Sequence, residues 1–335
     1  MPRLVLLFGL LALAGCQNLG SGPQHARSAA GSDAGALASL ASALPGDYDN
    51  HEQVERARAA NKSGTGIAPM HVQHSIRVVE SARDSVTWLW RLSVPGKTAS
   101  SSIWLLNARV TADGHHVRLV PSRPTDTASA QALFADTAKA FHFDAAQWAE
   151  LDPCAQNGQW DGAKFSAAAN VDSCSALLPG LGQDAALLPL RISVDADMLR
   201  VATFADSSRG ADAIEEARRV HWYDGWAAIN GGGPNAKSDN NDWHLQRDLH
   251  LSSEGGRAAL HWRDGAPSGY TLELERTSYP ERKLSVLQLN VIEDGSGRTI
   301  TYAWTDPGAS AIGLNLGWLQ VGFGPVAAPA GERNK

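Results

Sequence analysis

The rhythm of apolar and polar positions changes several times along the chain. Leu4 to Ala12 form a short, uninterrupted apolar run. Residues 17–35 are rich in Gly, Ser, Ala and Gln, show no period, and read as a flexible tether. Residues 36–44 are rich in Ala and Leu and predict one short helix, stopped by Pro45-Gly46-Asp47. Asn50, with Gln53 three residues on, has the spacing of a cap pair before a helix over 51–60. From His71 onward the period drops to two. Trp88, Trp90, Leu92 and Val94 share one face against Thr87, Arg91 and Ser93. Ile103 to Val110 and Val117 to Val120 are the next strands, turning at Asp113-Gly114. Residues 145–152 predict a short helix, and 187–194 and 198–204 two further strands. Residues 206–241 are Gly-, Asn- and Asp-rich and read as a boundary or a functional loop.

Beyond that stretch the alternation strengthens. Tyr270, Leu272 and Leu274 alternate with Thr271, Glu273 and Glu275. Leu284 to Ile292 and Arg298 to Trp304 flank Asp294-Gly295-Ser296-Gly297, a hairpin signature. Glu254-Gly255-Gly256 and Asp264-Gly265 read as two more turns, and Leu319, Val321 and Phe323 as the last strand. Residues 325–335 form a Pro/Ala and charged tail that reads as disordered. Many short strands with frequent turns imply a mainly β, antiparallel sandwich or barrel. Alternation, rather than continuous apolar runs, argues against a buried parallel sheet.

Composition narrows the class. The 335 residues suffice for one large or two ordinary domains. At 43% hydrophobic with a net charge of -6, the chain is no disordered polyelectrolyte. Its mild acidity argues against nucleic acid as a partner. Eleven Trp outnumber seven Phe and five Tyr, which is uncommon in a plain core.

Arg3, the apolar run and Leu13-Ala14-Gly15-Cys16 together resemble a bacterial lipoprotein signal peptide. The resemblance implies removal of residues 1–15 and acylation of Cys16, so that the partner is membrane lipid. Gln17, in place of an Asp, implies sorting to the outer membrane, with the domain facing the periplasm or the cell surface.

Enzyme motifs come close and fail. His51-Glu52-Gln53-Val54-Glu55 lacks the second His of a zinc protease helix. His71 and His74 are three apart, which on a strand puts them on opposite faces, so no metal site is expected. Cys154 and Cys174 remain. An oxidising, exported location favours a disulfide between them, and a redox or nucleophilic thiol is the alternative.

Gly46-Asp47-Tyr48-Asp49-Asn50 with Gln53 resembles the Gly-x-aromatic-x-Asn-x-x-Gln opening of the CpcT/CpeT chromophore lyase family. Arg77-Val78-Val79 is similar to that family's next strand, and Trp104 to Val120 to its following hairpin. Trp148 to Cys154, then Phe165 and Cys174, match its later stretch, so the likeness covers about residues 44–225. The family implies a calyx-like antiparallel β-barrel whose cavity holds a bilin. The Tyr-Arg-Gln-Arg strand of the family reads Trp104-Leu105-Leu106-Asn107-Ala108-Arg109 here, and its late Asp-Arg-Gly is at best Ser208-Arg209-Gly210. Fold therefore transfers better than lyase activity. In such a calyx Trp88, Trp90 and Trp104 would line the cavity, and Arg77 or Arg109 would pair with an anionic group of a bilin or other hydrophobic ligand. The bland alternative is a solid core with the arginines at the rim.

The expected organisation is a leader (1–15), a tether (16–35), a CpcT/CpeT-like barrel with short N-terminal helices (36–225), a C-terminal antiparallel β region of the same or a second domain (226–324) and a tail (325–335). The expected role is non-catalytic binding of a hydrophobic or tetrapyrrole-like small molecule. An assembly lipoprotein whose partner is another envelope protein, and a bilin-lyase-type enzyme, are the alternatives.

Overall fold

Two-residue alternation at this density produces strands that must find partners, and here they close two large cores, with a smaller cluster of Leu89, Ile103, Leu105, Ala130 and Trp148 beside them. The computed structural model describes residues 33–60, 69–95, 101–112, 116–135, 144–203, 214–237 and 239–326. The expected leader, the Cys16 anchor, most of the tether, the Asp113-Gly114 turn, Ser208-Arg209-Gly210 and most of the tail lie outside these residues.

Helix α1 (Asp33–Ala43) comes first, then strand β1 (Gly46–Asp49) and helix α2 (His51–Ala60). Strands β2 (Gln73–Ser81), β3 (Ser85–Ser93), β4 (Ser101–Val110) and β5 (Val117–Pro124) form a meander. Helix α3 (Thr127–Ala135) follows, then β6 (Trp148–Glu150), β7 (Gln156–Trp160), β8 (Phe165–Ala169), helix α4 (Val171–Ser175), β9 (Pro189–Val194), β10 (Met198–Thr203) and β11 (Glu215–Arg219). β1 pairs antiparallel with both β2 and β11, and β4 pairs with β5. The sheet therefore closes into a ten-stranded antiparallel barrel, with β6 as an added edge on β5.

The remaining strands form two four-stranded antiparallel sheets. One contains β12 (Trp222–Asn230), β13 (Trp243–Ser252), β18 (Ile312–Asn315) and β19 (Leu319–Pro325), in the order β13-β12-β19-β18. The other contains β14 (Glu254–His261), β15 (Pro267–Tyr279), β16 (Leu284–Glu293) and β17 (Arg298–Thr305), in chain order. Their apolar faces meet in a core of Ile229, Leu251, Leu272, Leu274, Leu289, Val291, Leu319 and Phe323. The barrel has its own core, which includes Tyr48, Trp88, Trp90, Trp104, Phe165 and Ile192.

Several local expectations are corrected. Residues 145–152 are a 3-10 turn and then β6, not one helix, because the chain there pairs with β5. The stretch 206–241 contains all of β11 and β12, so it is not one long irregular loop. The expected boundary after residue 225 falls inside β12. Glu254-Gly255-Gly256 is not a turn: it opens β14 with a β-bulge opposite β15. Gly255 has φ 76°, and the ring of His51 occupies the space a Cβ would take. The glycine thus permits α2, from the barrel side, to rest on the sandwich.

Arg218 ties the two cores together. It is 3% exposed, ion-pairs with Glu52 of α2, and donates to the Arg276 carbonyl at 2.7 Å and to Ser278 Oγ at 2.9 Å. Glu52 in turn accepts from the Ser278 backbone N–H at 2.7 Å.

Candidate functional site

The inward face of β2, β3 and β4 carries the candidate site. In an antiparallel ladder, residues directly opposite share a face. Trp90 stands opposite Trp104 on β4 and Ile76 on β2, while Trp88 stands opposite Leu106. All three indoles are at most 1% exposed. Across the barrel, Gly158 of β7 leaves the space that the Phe165 ring fills. Helix α1 adds Leu37, Leu40 and Leu44, spaced on one helical face, to the same cluster. It packs against β3, β4 and β7. The lumen around the tryptophans is therefore occupied by the chain's own side chains.

Polar chemistry is buried in this apolar setting. Trp90 Nε1 donates to His74 Nδ1 at 3.1 Å, and His74 Nε2 bonds Glu215 Oε1. Because Trp90 can only donate, Nδ1 is the acceptor and Nε2 carries the proton offered to Glu215. Trp88 Nε1 and Trp104 Nε1, by contrast, are buried without a hydrogen-bond partner. Each such orphan donor costs about 1–3 kcal/mol.

The two arginines stand elsewhere. Arg77 projects outward and grips Asp47 with 2.7 and 2.9 Å bonds. Arg109 is exposed and donates to Asn107 at 2.8 Å. The three tryptophans converge inside the barrel; the arginines do not join them. His74 and Glu215 were missed by sequence reasoning. Their signal was available: His74 shares strand parity with buried Ile76, and Glu215 with buried Ala217.

The residues that carry the family resemblance have architectural roles. The Tyr48 hydroxyl donates to the Ala43 and Leu44 carbonyls at 2.9 and 3.1 Å and accepts from Arg219. Burial pushes its pKa up to about 12, against the lowering influence of Arg219. Arg219 also donates to the Pro45 carbonyl at 2.7 Å and lies where a Cβ on Gly46 would sit. Together these groups satisfy the last carbonyls of α1. Asn50 Nδ2 donates to the Met70 carbonyl at 2.8 Å and to Gln53 Oε1 of α2 at 3.4 Å, and Asn50 Oδ1 accepts from the Val72 N–H at 2.8 Å. Gln53 bridges α2 to β11 through the Ile214 carbonyl and the Glu216 N–H.

Cys154 and Cys174 are joined in a disulfide buried in the barrel core. Under the barrel–sandwich junction lies Glu254, 2% exposed, near Arg218 and Arg276. Burial pushes its pKa up to about 7, despite the two guanidinium charges. Among the described residues, no group of three or more His, Cys, Asp or Glu is arranged to hold a metal. No protein-family model matches this chain, and no curated protein sequence matches it.

Proposed function

We propose that the protein is a non-catalytic binding protein whose barrel lumen takes an apolar small molecule bearing acceptor oxygens. Linear tetrapyrroles belong to this class. In the same reading Cys16 is acylated and holds the barrel at the outer membrane. One observation carries the lumen proposal: Trp88 and Trp104 present buried, unpartnered indole N–H groups in the same core cluster as the leucines of α1. A ligand carbonyl or carboxylate would satisfy those donors, and α1 is the element it would displace. Buried groups that lack partners in an otherwise well-bonded protein call for such an explanation.

Native mass spectrometry and absorption spectroscopy on the protein purified from its own envelope test the reading. The expected result is a bound chromophore or lipid of defined mass, lost from Trp88→Phe or Trp104→Phe, which keep a ring but remove the donor. Protein that emerges empty sinks the lumen reading. The anchor is tested separately: the N-terminal peptide should carry acyl mass on Cys16, and an unmodified thiol there would overturn it.

A further inference from the structure

We infer that the outer face of the β14–β17 sheet is a second binding site, for a neutral saccharide, independent of the lumen. The inner face of this sheet is aliphatic, as Leu272, Leu274, Leu289 and Val291 show. Its outer face has a different composition. Glu273 stands opposite Asn290, which stands opposite Tyr302; Glu275 stands opposite Gln288, which stands opposite Trp304. The resulting groove has a volume of about 420 Å³, and His51 of α2 and Arg257 of β14 stand at its sides. That size lies within the range of about 300–1,000 Å³ usual for small-molecule sites.

The polar groups of the groove are held in place by one another. Asn290 Nδ2 bonds Glu275 Oε1 at 2.8 Å and Glu273 Oε2 at 3.4 Å, so the two carboxylates face one another across a single amide. Gln288 Nε2 donates to Asn290 Oδ1 at 2.7 Å. Arg257 holds Glu273 through Nε and Nη2, at 2.7 and 2.6 Å. His51 Nε2 lies 3.8 Å from Glu275 Oε2 and has no hydrogen-bond partner. Glu273 and Asn290 are buried, while half-buried Glu275 and Gln288 and exposed Arg257 bring acceptors and donors to the groove, a set that fits hydroxyl groups.

The aromatic side chains supply the second, independent observation. Trp304 is 65% and Tyr302 58% exposed, on adjacent outward positions of β17. Large apolar side chains so exposed, next to a polar groove, mark a surface that is covered in use. A pyranose matches both halves, since it offers an apolar C–H face to an aromatic ring and hydroxyls at its edge. Glu55, Glu273 and Glu275 outnumber Arg257 and His51 in the groove, so it holds no excess positive charge for an anionic sugar.

Titration of the full chain with cellotetraose, maltotetraose and the β-1,4 tetramer of N-acetylglucosamine, followed by tryptophan fluorescence and isothermal calorimetry, tests the inference. At least one neutral tetrasaccharide is expected to bind with a Kd of about 1 mM or tighter, with Trp304→Ala or Tyr302→Ala weakening it tenfold or more. Both side chains are solvent-exposed, so a matching thermal melt shows that the variants still fold. The inference is overturned if none of the three sugars binds, or if both variants bind as the parent does. It is also overturned if only the acidic tetramer of galacturonic acid binds, or if the aromatic pair instead drives concentration-dependent dimerisation.

Discussion

The barrel and the sandwich bury their strands with opposite materials. The barrel core is aromatic and partly polar: three indoles, Tyr48 and Phe165 share it with buried His74, Asn50 and Gln156, and a helix and a disulfide complete it. The sandwich core is aliphatic apart from Tyr223 and Phe323 among its fully buried members, and its most exposed aromatics, Tyr302 and Trp304, lie on the outside. An indole carries both a large apolar area and an N–H that needs a partner. Placed inside, it makes the core depend on polar matching; placed outside, it leaves the core indifferent to it. The barrel thus holds its chemistry within, and the sandwich displays it.

Substitution of one tryptophan in each region should separate these roles most sharply. Trp104→Ala is expected to destabilise the protein by about 3–5 kcal/mol in urea unfolding, whereas Trp304→Ala should stay within about 0.5 kcal/mol of the parent. Equal losses would erase the distinction. Next in size, Cys154→Ala with Cys174→Ala should cost about 3 kcal/mol, from the released constraint on the unfolded loop. Reduction of the parent with dithiothreitol should lower Tm to match, and an unchanged Tm would contradict a stabilising disulfide.

Asn50→Ala should cost about 1–3 kcal/mol, because the Met70 carbonyl and the Val72 N–H are left unpaired. At the junction the expected effect is one of pH. Glu254 has a folded pKa of about 7, above its ordinary 4.5. The folded state therefore retains a proton that the unfolded chain has lost, and stability falls as pH rises from about 4.5 to 7. Glu254→Gln should flatten that decline in Tm measured across the same window. Parallel curves for parent and variant would show that the carboxyl does not titrate there.

Where a strand buries one face against an apolar core, the sequence showed it. The alternations at 88–94, 103–110, 270–274 and 298–304 all mark real strands, and 36–44 and 51–60 real helices. β11 was hidden because Glu215-Glu216-Ala217-Arg218-Arg219 has one apolar residue, and its charged side chains find partners far away in the chain. Glu215 bonds His74, 141 residues distant, and Arg218 reaches the sandwich. The shared face of Trp88 and Trp90 was legible from parity alone, whereas their meeting with Trp104 depends on the β3–β4 register. The outward aim of Arg109 was legible by the same rule, since it alternates with buried Ala108. What parity could not supply was the surface against which α1 buries Leu37, Leu40 and Leu44. Nor could it show that Tyr302 lies on the same surface as Glu273, because cross-strand register is a long-range property.

The position of β19 gives the two regions different schedules of assembly. The barrel closes when β11 pairs with β1, so all its strands precede residue 220. In its sheet β19 lies between β12 and β18, and it includes Leu319, Val321 and Phe323 of the sandwich core. A chain delivered N-terminus first can therefore complete the barrel while the last hundred or so residues are still in transit. The sandwich must wait for the final strand. During that interval Glu52, already present on α2, is available to neutralise Arg218 before Ser278 arrives. An interrupted delivery would then leave a closed barrel and an open sheet, not two half-built cores.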